Sequence, residues 1–370
     1  MVLNVLAACI ASTDQRTPPS VKMSTSPVLA LLSHVPRGYN AVFGGEFVAA
    51  MQVPASAQIV DLRQVHSRAL DPLFEEEIAR WREELRWDYR PSVDLIRKFV
   101  DSRSLGGFLA LHEGQPAGYG FYVLEDHKGL IGGLFVSSHY PQNAITQLLL
   151  DEMLAALRGT PRLSRVEAQL MPFGAQLDPN FLSRHFRLYA RQFMLLALDE
   201  AQVRNKPLSS AFRMEPWTDR AFDTAARLIH LSYADHVDGD INDQYRSEGG
   251  GMKFLRNIVL LPGCGQFMQE ASFLMVPVTG DRPVGMVLTS SVSDRVGHTT
   301  QICVAPGYQG HGVGRALMEQ SIHALHKRGF NALSLTVTAS NGPAVRLYEQ
   351  LGFRTIKTFA AGVWEPAHHA

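Results

Sequence analysis

A ten-residue stretch of this sequence aligns without a gap on another 168 residues further on, and that correspondence sets how many folding units the chain can hold. Val136-Ser137-Ser138-His139-Tyr140-Pro141-Gln142-Asn143-Ala144-Ile145 lies without a gap on Val304 through Val313, with Val136 on Val304, Tyr140 on Tyr308 and Ile145 on Val313. The helical patterns that follow agree as well. Leu149 falls on Leu317, Leu154 on Ile322, and Ala156 and Leu157 on Ala324 and Leu325. The offset drops by one before the next strand, so that Val166 meets Leu333 and Phe186 meets Phe353. A period this long is a duplicated domain and not a solenoid, whose repeats are several times shorter. The 370 residues are enough for two cores of ordinary size, and a hydrophobic content of 46% supplies them.

The periodicities inside each unit alternate between strand and helix, an α/β chain with a mixed sheet. Helical spacing covers Asp71 to Leu85 and Ser92 to Asp101, with Pro91 between them as a helix start. Gly106–Leu111 and Pro116–Leu124 read as a hairpin, Leu130–Ser137 as a strand, Ile145–Leu157 as an apolar helix, Val166–Met171 and Phe186–Leu198 as strands. The second unit starts with strand Phe212–Pro216 and helix Asp219–Ala234. Residues Asp235 to Gly251, with four aspartates and three consecutive glycines, read as a loop before helix Phe254–Leu260. Ser272–Val278 and Pro283–Ser290 form a second hairpin. Strand His298–Val304, helix Gly312–Lys327, strand Leu333–Thr338, helix Pro343–Leu351 and strand Phe353–Phe359 complete the chain. The boundaries expected are a disordered leader over 1–56, rich in Ser, Thr and Pro, then domains over 57–200 and 208–362.

The second unit carries the more pointed chemistry. From Cys303 to Arg315 an apolar strand end runs through a loop holding Gly307, Gly310, Gly312 and Gly314 directly into a helix. Unpaired first-turn N–H groups and the positive end of the helix dipole suit an anion, and a pyrophosphate in particular. The spacing is not the dinucleotide fingerprint, and the acidic residue expected about twenty positions on is missing. No Lys-Ser/Thr pair follows, which excludes a nucleoside-triphosphate loop. With 35 basic and 35 acidic side chains, nothing favours nucleic acid or an anionic membrane as partner. No apolar run reaches the roughly eighteen residues of a membrane span. Cys9, Cys264 and Cys303 are too scattered for a disulfide framework or a metal site, and they fit a reducing, cytoplasmic setting.

One strand after the glycine loop comes Asn341-x-x-Ala344-x-x-Leu347-Tyr348-x-x-x-Gly352-Phe353. Together with Gln309-x-x-Gly312-x-Gly314, this segment resembles the GNAT superfamily of N-acetyltransferases. With the first unit read as a duplicate, the resemblance extends to two tandem GNAT folds, an arrangement similar to that of mycothiol-synthase-like proteins. It implies acetyl-CoA as acyl donor, with its pyrophosphate on Gln309, Gly310, His311, Gly312, Val313, Gly314 and Arg315. It further implies that Ile302, Cys303 and Val304 offer a strand edge to the pantetheine arm, that Asn341 and Ala344 lie against the cofactor, and that Tyr348 donates a proton to the departing thiolate. From spacing alone, Ala344, Leu347, Tyr348 and Leu351 form one apolar helix stripe in which Tyr348 is a packed aromatic. Asn341 doubles as a helix cap beside Pro343. Cys303, on a strand, is not read as a nucleophile.

Many members use a strand glutamate as base, but Gln301 stands near that position. Glu270 is the best remaining carboxylate, followed by Asp294 and His298, and a water chain with no dedicated base is an equal alternative. In the first unit Pro141, Ala144 and Thr146 replace Gln309, Gly312 and Gly314, while Phe181 and Gly174 replace Tyr348 and Asn341. That copy is expected to be degenerate. The implied reaction is direct attack of a primary amine on acetyl-CoA, with a small-molecule acceptor attracted by Asp235, Asp238, Asp240 and Asp243, in a monomer or homodimer without metal. The alternatives are a protein amine as acceptor, or a non-catalytic acyl-CoA sensor.

Overall fold

The strands read from the sequence join into one sheet. The computed structural model describes residues 57–203, 209–261 and 263–366, apart from the side chains of 173–175, so the expected leader lies outside the described residues. The first half runs β1 (Ala57–Asp61), α1 (Asp71–Leu85), α2 (Arg90–Asp101), β2 (Gly106–His112), β3 (Gln115–Glu125), β4 (Lys128–Val136), α3 (Gln142–Arg158), β5 (Arg165–Gln169), α4 (Asp178–Leu182) and β6 (Arg187–Ala197). The second runs β7 (Phe212–Pro216), α5 (Phe222–Tyr233), α6 (Val237–Ile241), α7 (Glu248–Leu260), β8 (Gln266–Phe267), β9 (Phe273–Pro277), β10 (Gly285–Ser293), β11 (Val296–Val304), α8 (Val313–Lys327), β12 (Ala332–Thr338), α9 (Gly342–Leu351) and β13 (Arg354–Trp364). β4 and β11 are both nine residues long and 168 apart, and β6 and β13 are both eleven residues long and 167 apart. The repeat is therefore a repeat of structure.

One segment departs from its expected form. Asp235 to Gly251 holds α6, a 3-10 turn over Asp243–Arg246, and the first turn of α7. Ser247 caps α7 by accepting from the Gly250 N–H at 3.0 Å. Glycine disfavours helix, but tertiary packing overrides it here: a Cβ at Gly251 would stand 2.8 Å from the Ala226 carbonyl oxygen of α5.

The strand order is β1-β2-β3-β4-β5-β13-β6-β12-β11-β10-β9-β7, with β8 paired to β10. The last strand of each half has crossed over. β13 pairs with β5 of the first half, and β6 pairs with β12 of the second. β6 and β13 also pair with each other, antiparallel, with Phe359 opposite Arg191 and Thr358 opposite Gln192. The 167-residue shift converts one of these pairs into the other, which puts a pseudo-two-fold axis between them.

Alternate residues along the strands enter different cores. Leu109 joins the core under α1 and α2, and Ala110 the core under α3. The α1–α2 core crosses between the halves: Trp81 stacks on Tyr89 at 4.5 Å, Trp87 packs on His298 at 5.0 Å, and the Asp88 N–H donates to the Val292 carbonyl at 2.8 Å. A buried charge network adds to this. The Lys128 ammonium bonds Asp243 and lies 3.7 Å from Glu125 and 3.6 Å from Glu167, while Arg165 holds Glu167 at 2.6 Å and Glu365 at 2.5 Å. Burial opposes the Lys128 charge, but Glu167, Asp243 and Glu125 outweigh it and raise the ammonium above its ordinary range. Each ion in such a cluster depends on the others, and removing one costs roughly 3–5 kcal/mol.

Candidate active site

The parallel strands β11 and β12 begin paired and then part. Their register runs from Val296 opposite Ala332 to Thr299 opposite Leu335 and stops there. Beyond Thr299, β11 stays bonded to β10 but shows no pairing to β12, so Ile302, Cys303 and Val304 present an edge that lacks a strand partner on one side. A cavity of about 780 Å³ fills the opening, bounded by Ile302 to Val304 on one wall and Leu335 to Val337 on the other.

The glycine loop closes one end. Pro306–Tyr308 form a 3-10 turn, and the Gln309 side chain donates to the Val304 carbonyl at 3.1 Å, tying the loop to the end of β11. Gly310 and Gly312 have φ of 77° and 82°, a region other residues enter only with strain, and a Cβ on either would meet nothing within 4 Å. Their backbone is thus reached from the open side. Gly314 has no positive φ and lies in the first turn of α8, where an added Cβ would only touch Leu347 and Val304 at 3.6 and 3.7 Å. The Gly312 carbonyl accepts from Ala316 at 3.0 Å, which leaves Val313, Gly314 and Arg315 as first-turn donors without intrahelical partners. The Arg315 side chain is drawn to Glu319 at 2.9 Å, and His311 turns its Nδ1 to the Gln309 carbonyl at 2.8 Å.

Tyr348 and Asn341, on and before α9, face the same cavity. Asn341 caps α9 by accepting from the Ala344 N–H at 3.3 Å. Tyr348 packs edge-on against Phe353 at 5.8 Å, so the packed reading and the cavity reading both hold. Burial, then the nearby Asp238 charge, raises its hydroxyl well above the tyrosine range, against a smaller opposing effect of Arg191. The phenol therefore stays protonated at neutral pH. Burial also pushes the Cys303 thiol up to about 12, which keeps it in the non-nucleophilic form.

The expected bases are not brought to the cavity in usable form. Glu270 sits on an exposed 3-10 turn, 3.4 Å from Arg328, and is not among the cavity-lining residues. Asp294 is exposed in the β10–β11 turn. His298 does line the cavity, but its Nδ1 is bonded to Ser334 at 2.9 Å, and burial lowers the imidazole to about 3. Gln301 is buried between two tyrosines: its Nε2 donates to the Tyr233 hydroxyl at 3.0 Å, and its Oε1 accepts from Tyr245 at 3.3 Å.

The aspartates of the 235–251 segment are mostly engaged. Asp240 meets Arg246 at 3.3 Å, Asp243 meets Lys128, and Asp238 accepts from Arg191 at 2.9 Å and from the Thr338 hydroxyl. Only Asp235, at the cavity wall, has no ion-pair partner among the described residues. Two residues went unnoticed in the sequence. His236 lies between Asp238 and Asn341. Arg191 comes from β6 of the first half, and no local pattern marks it, because only the strand crossover carries it to the cavity.

Comparison with known proteins came out consistently. Residues 245–353 match the Acetyltransferase (GNAT) family. Over 52 residues, 14% of this chain and 35% of the relative, the sequence is 56% identical to the [Ribosomal protein bS18]-alanine N-acetyltransferase of Escherichia coli. Over 72 residues, 20% of this chain and 24% of the relative, it is 43% identical to the mycothiol acetyltransferase of Thermomonospora curvata. The chain thus spans about a third or less of the length of these curated relatives. Among solved structures, a GCN5-related N-acetyltransferase from Sphaerobacter thermophilus superposes with a TM-score of 0.63 over 85% of this chain and 97% of its own, at 14% identity. A tandem GNAT protein from the clavulanic acid biosynthesis pathway gives 0.52 over 84% and 98%, at 12% identity. At these identities the structural likeness speaks for the fold.

Proposed function

We propose, from the match of residues 245–353 to the Acetyltransferase (GNAT) family, that the chain transfers the acetyl group of acetyl-CoA to a primary amine. The observation that carries this reading is the join of three features in one cavity: the parted strands, the open backbone at Gly310 and Gly312, and the protonated hydroxyl of Tyr348. In this reading the first-turn N–H groups of Val313, Gly314 and Arg315 bind the pyrophosphate with the backbone of Gly310 to Gly312. The strand-free edge of Ile302 to Val304, whose Ile302 and Val304 carbonyls accept from Tyr233 and Gln309, offers its remaining backbone groups to the amides of the pantetheine arm, with Asn341 and Ala344 on the opposite side. Tyr348 donates a hydrogen bond to sulfur as negative charge develops there. Because burial makes loss of its proton costly, the hydroxyl acts first as a donor and gives up the proton only as the amine sheds one. The acceptor enters beside Asp235. The working domain is read as 208–362, with 57–200 as a cofactor-free copy that walls the acceptor side.

The test is CoA release from acetyl-CoA across an amine panel, with small alkyl and sugar amines and peptides beginning with alanine, since one group of relatives is named for a protein alanine. Turnover on at least one amine, lowered about 100-fold by Tyr348→Phe with acetyl-CoA affinity nearly unchanged, is the expected result. Tight acetyl-CoA binding with no turnover on any amine overturns the enzyme reading in favour of an acyl-CoA sensor.

A further inference from the structure

We propose that His236 is the general base that deprotonates the acceptor amine, and that Arg191 and Asp238 position it; this rests on the acetyl-transfer reading above. His236 lines the cavity and sits at the start of α6. Its two ring nitrogens face different groups. Nε2 is 3.3 Å from the Asn341 Nδ2, and Nδ1 is 3.7 Å from Asp238 Oδ2. The Asn341 amide cannot be turned round, since its Oδ1 is already the acceptor for the Ala344 N–H. A donor therefore points at Nε2, and the Asp238 backbone N–H points at Nδ1 from 3.1 Å, so a neutral imidazole can accept from only one of the two. The proposed base is the tautomer with its lone pair on Nε2 and its hydrogen on Nδ1, toward the carboxylate; it forgoes the contact from the Asp238 N–H, whereas the other tautomer forgoes the one from Asn341.

The carboxylate is itself held in place. Asp238 Oδ1 takes Arg191 Nη1 at 2.9 Å and the Thr338 hydroxyl, and Arg191 Nη1 reaches Thr338 Oγ1 at 2.9 Å. That leaves Oδ2 for the imidazole. Arg191 stands opposite Thr338 in the β6–β12 pairing, so the first half of the chain supplies the cation that anchors the dyad. The ionisable groups facing His236 are Asp235 beside it, Asp238 on α6, Arg191 on β6, Tyr233 on α5 with its ring 5.4 Å away, and Tyr348 on α9.

Nε2 displaces the Asn341 contact and removes one proton from the ammonium, giving a neutral amine and an imidazolium that shares its Nδ1 hydrogen with Asp238. The amine lone pair forms the C–N bond at the thioester carbonyl, and the C–S bond breaks with its electron pair on sulfur. Sulfur takes the Tyr348 proton, and the second amine proton returns to the tyrosinate. The imidazolium later releases its proton to solvent, so an ammonium and a thioester yield an amide, a thiol and one free proton.

The experiment compares wild type with His236→Gln on two sets of amines, strongly basic alkylamines and weakly basic amines that are already neutral above about pH 6. The variant is expected to lose about 100-fold in kcat/KM on alkylamines and less than about 5-fold on weakly basic amines, which carry no ammonium proton to remove. Acetyl-CoA affinity and Tm are expected to stay close to wild type. In His236→Ala, added imidazole is expected to restore alkylamine turnover in proportion to its neutral form. Arg191→Met and Asp238→Asn are expected to reproduce the amine-selective loss at about 10-fold, which a purely structural role would not do. Equal losses on both amine sets, or no imidazole rescue, overturn the proposal while leaving the acetyl-transfer reading intact. A wild type without turnover on any amine overturns both.

Discussion

The two halves solve the same folding problem and part company at one place, the gap where parallel strands separate. In the second half β11 and β12 stop pairing at Thr299, and in the first β4 and β5 stop at Ile131, the residue 168 positions earlier. What occupies the gap differs. Thr300, Ile302 and Val304 of β11 are partly open to a cavity, whereas every residue of β4 is buried. Leu170, Leu177 and Phe181 are buried in the core under α3. Phe181 packs on Phe186 at 5.0 Å as Tyr348 packs on Phe353, but it brings no hydroxyl. The loops differ in the same sense. Thr146 is buried where Gly314 borders the cavity, Pro141 caps α3 with no donor of its own, and the chain's own Glu76 accepts from the Ser138 N–H at 2.7 Å. The splay is a property of the fold, and a site arises only where the sequence leaves it open.

The contrast can be broken most strongly at the glycine loop. Gly312→Val places a branched side chain at φ 82° in the open cradle, and acetyl-CoA affinity by calorimetry is expected to fall about 1000-fold. The matching change Ala144→Gly is expected to create no second binding event. Exchanging the aromatic pair comes next. Phe181→Tyr buries a hydroxyl in an apolar core and should cost about 1–3 kcal/mol in denaturant unfolding, with kcat unchanged. This is the reverse of Tyr348→Phe, where activity falls and stability holds.

A pH dependence separates the halves further. Glu77 is buried in the first half, and burial raises its carboxyl to about 7 despite donors from Tyr119 at 2.5 Å and Trp81 at 3.4 Å. A folded pKa above the unfolded one means the native state holds the proton more tightly. Stability is therefore greatest below about pH 4.5, is lost as pH rises through about 7, and is level beyond it. The loss approaches roughly 3 kcal/mol, and Glu77→Gln is expected to abolish this component when the change in unfolding free energy is measured between pH 5 and pH 8. The smallest effect belongs to Glu76→Gln, which weakens the tie to Ser138 at a half-exposed position. It should cost less than about 1 kcal/mol by thermal unfolding and leave acetyl-CoA binding untouched.

Most of the element boundaries were legible because they depend on local signals. Helix Asp71–Leu85 and strand Phe212–Pro216 fall where their periodicity placed them, and Pro91 opens α2 as proline at a helix start should. Glycines at Gly310 and Gly312 marked the cradle because only a backbone with φ > 0 can make that turn cheaply. The segment from Asp235 to Gly251 reads as a loop because its glycines and aspartates disfavour helix locally, while contacts with Ala226, Arg191 and Lys128 hold it helical or turned. Glu270 stands out by residue type near a strand, but its place on the exposed 3-10 turn before β9 keeps it away from the cavity.

The sequence by itself determined that one fold occurs twice, that only the second copy keeps an open glycine loop, and that Asn341 and Tyr348 accompany it, because these depend on spacing along the chain. Tertiary structure decided that the copies exchange their last strands, and with that exchange it decided which residues stand around the cavity. Arg191 and Thr338 lie 147 residues apart in sequence and are neighbours only because β6 pairs with β12. A contact between strands of different halves leaves no periodic trace in either, so the anchor of Asp238, and through it the orientation of His236, exists only in the folded molecule.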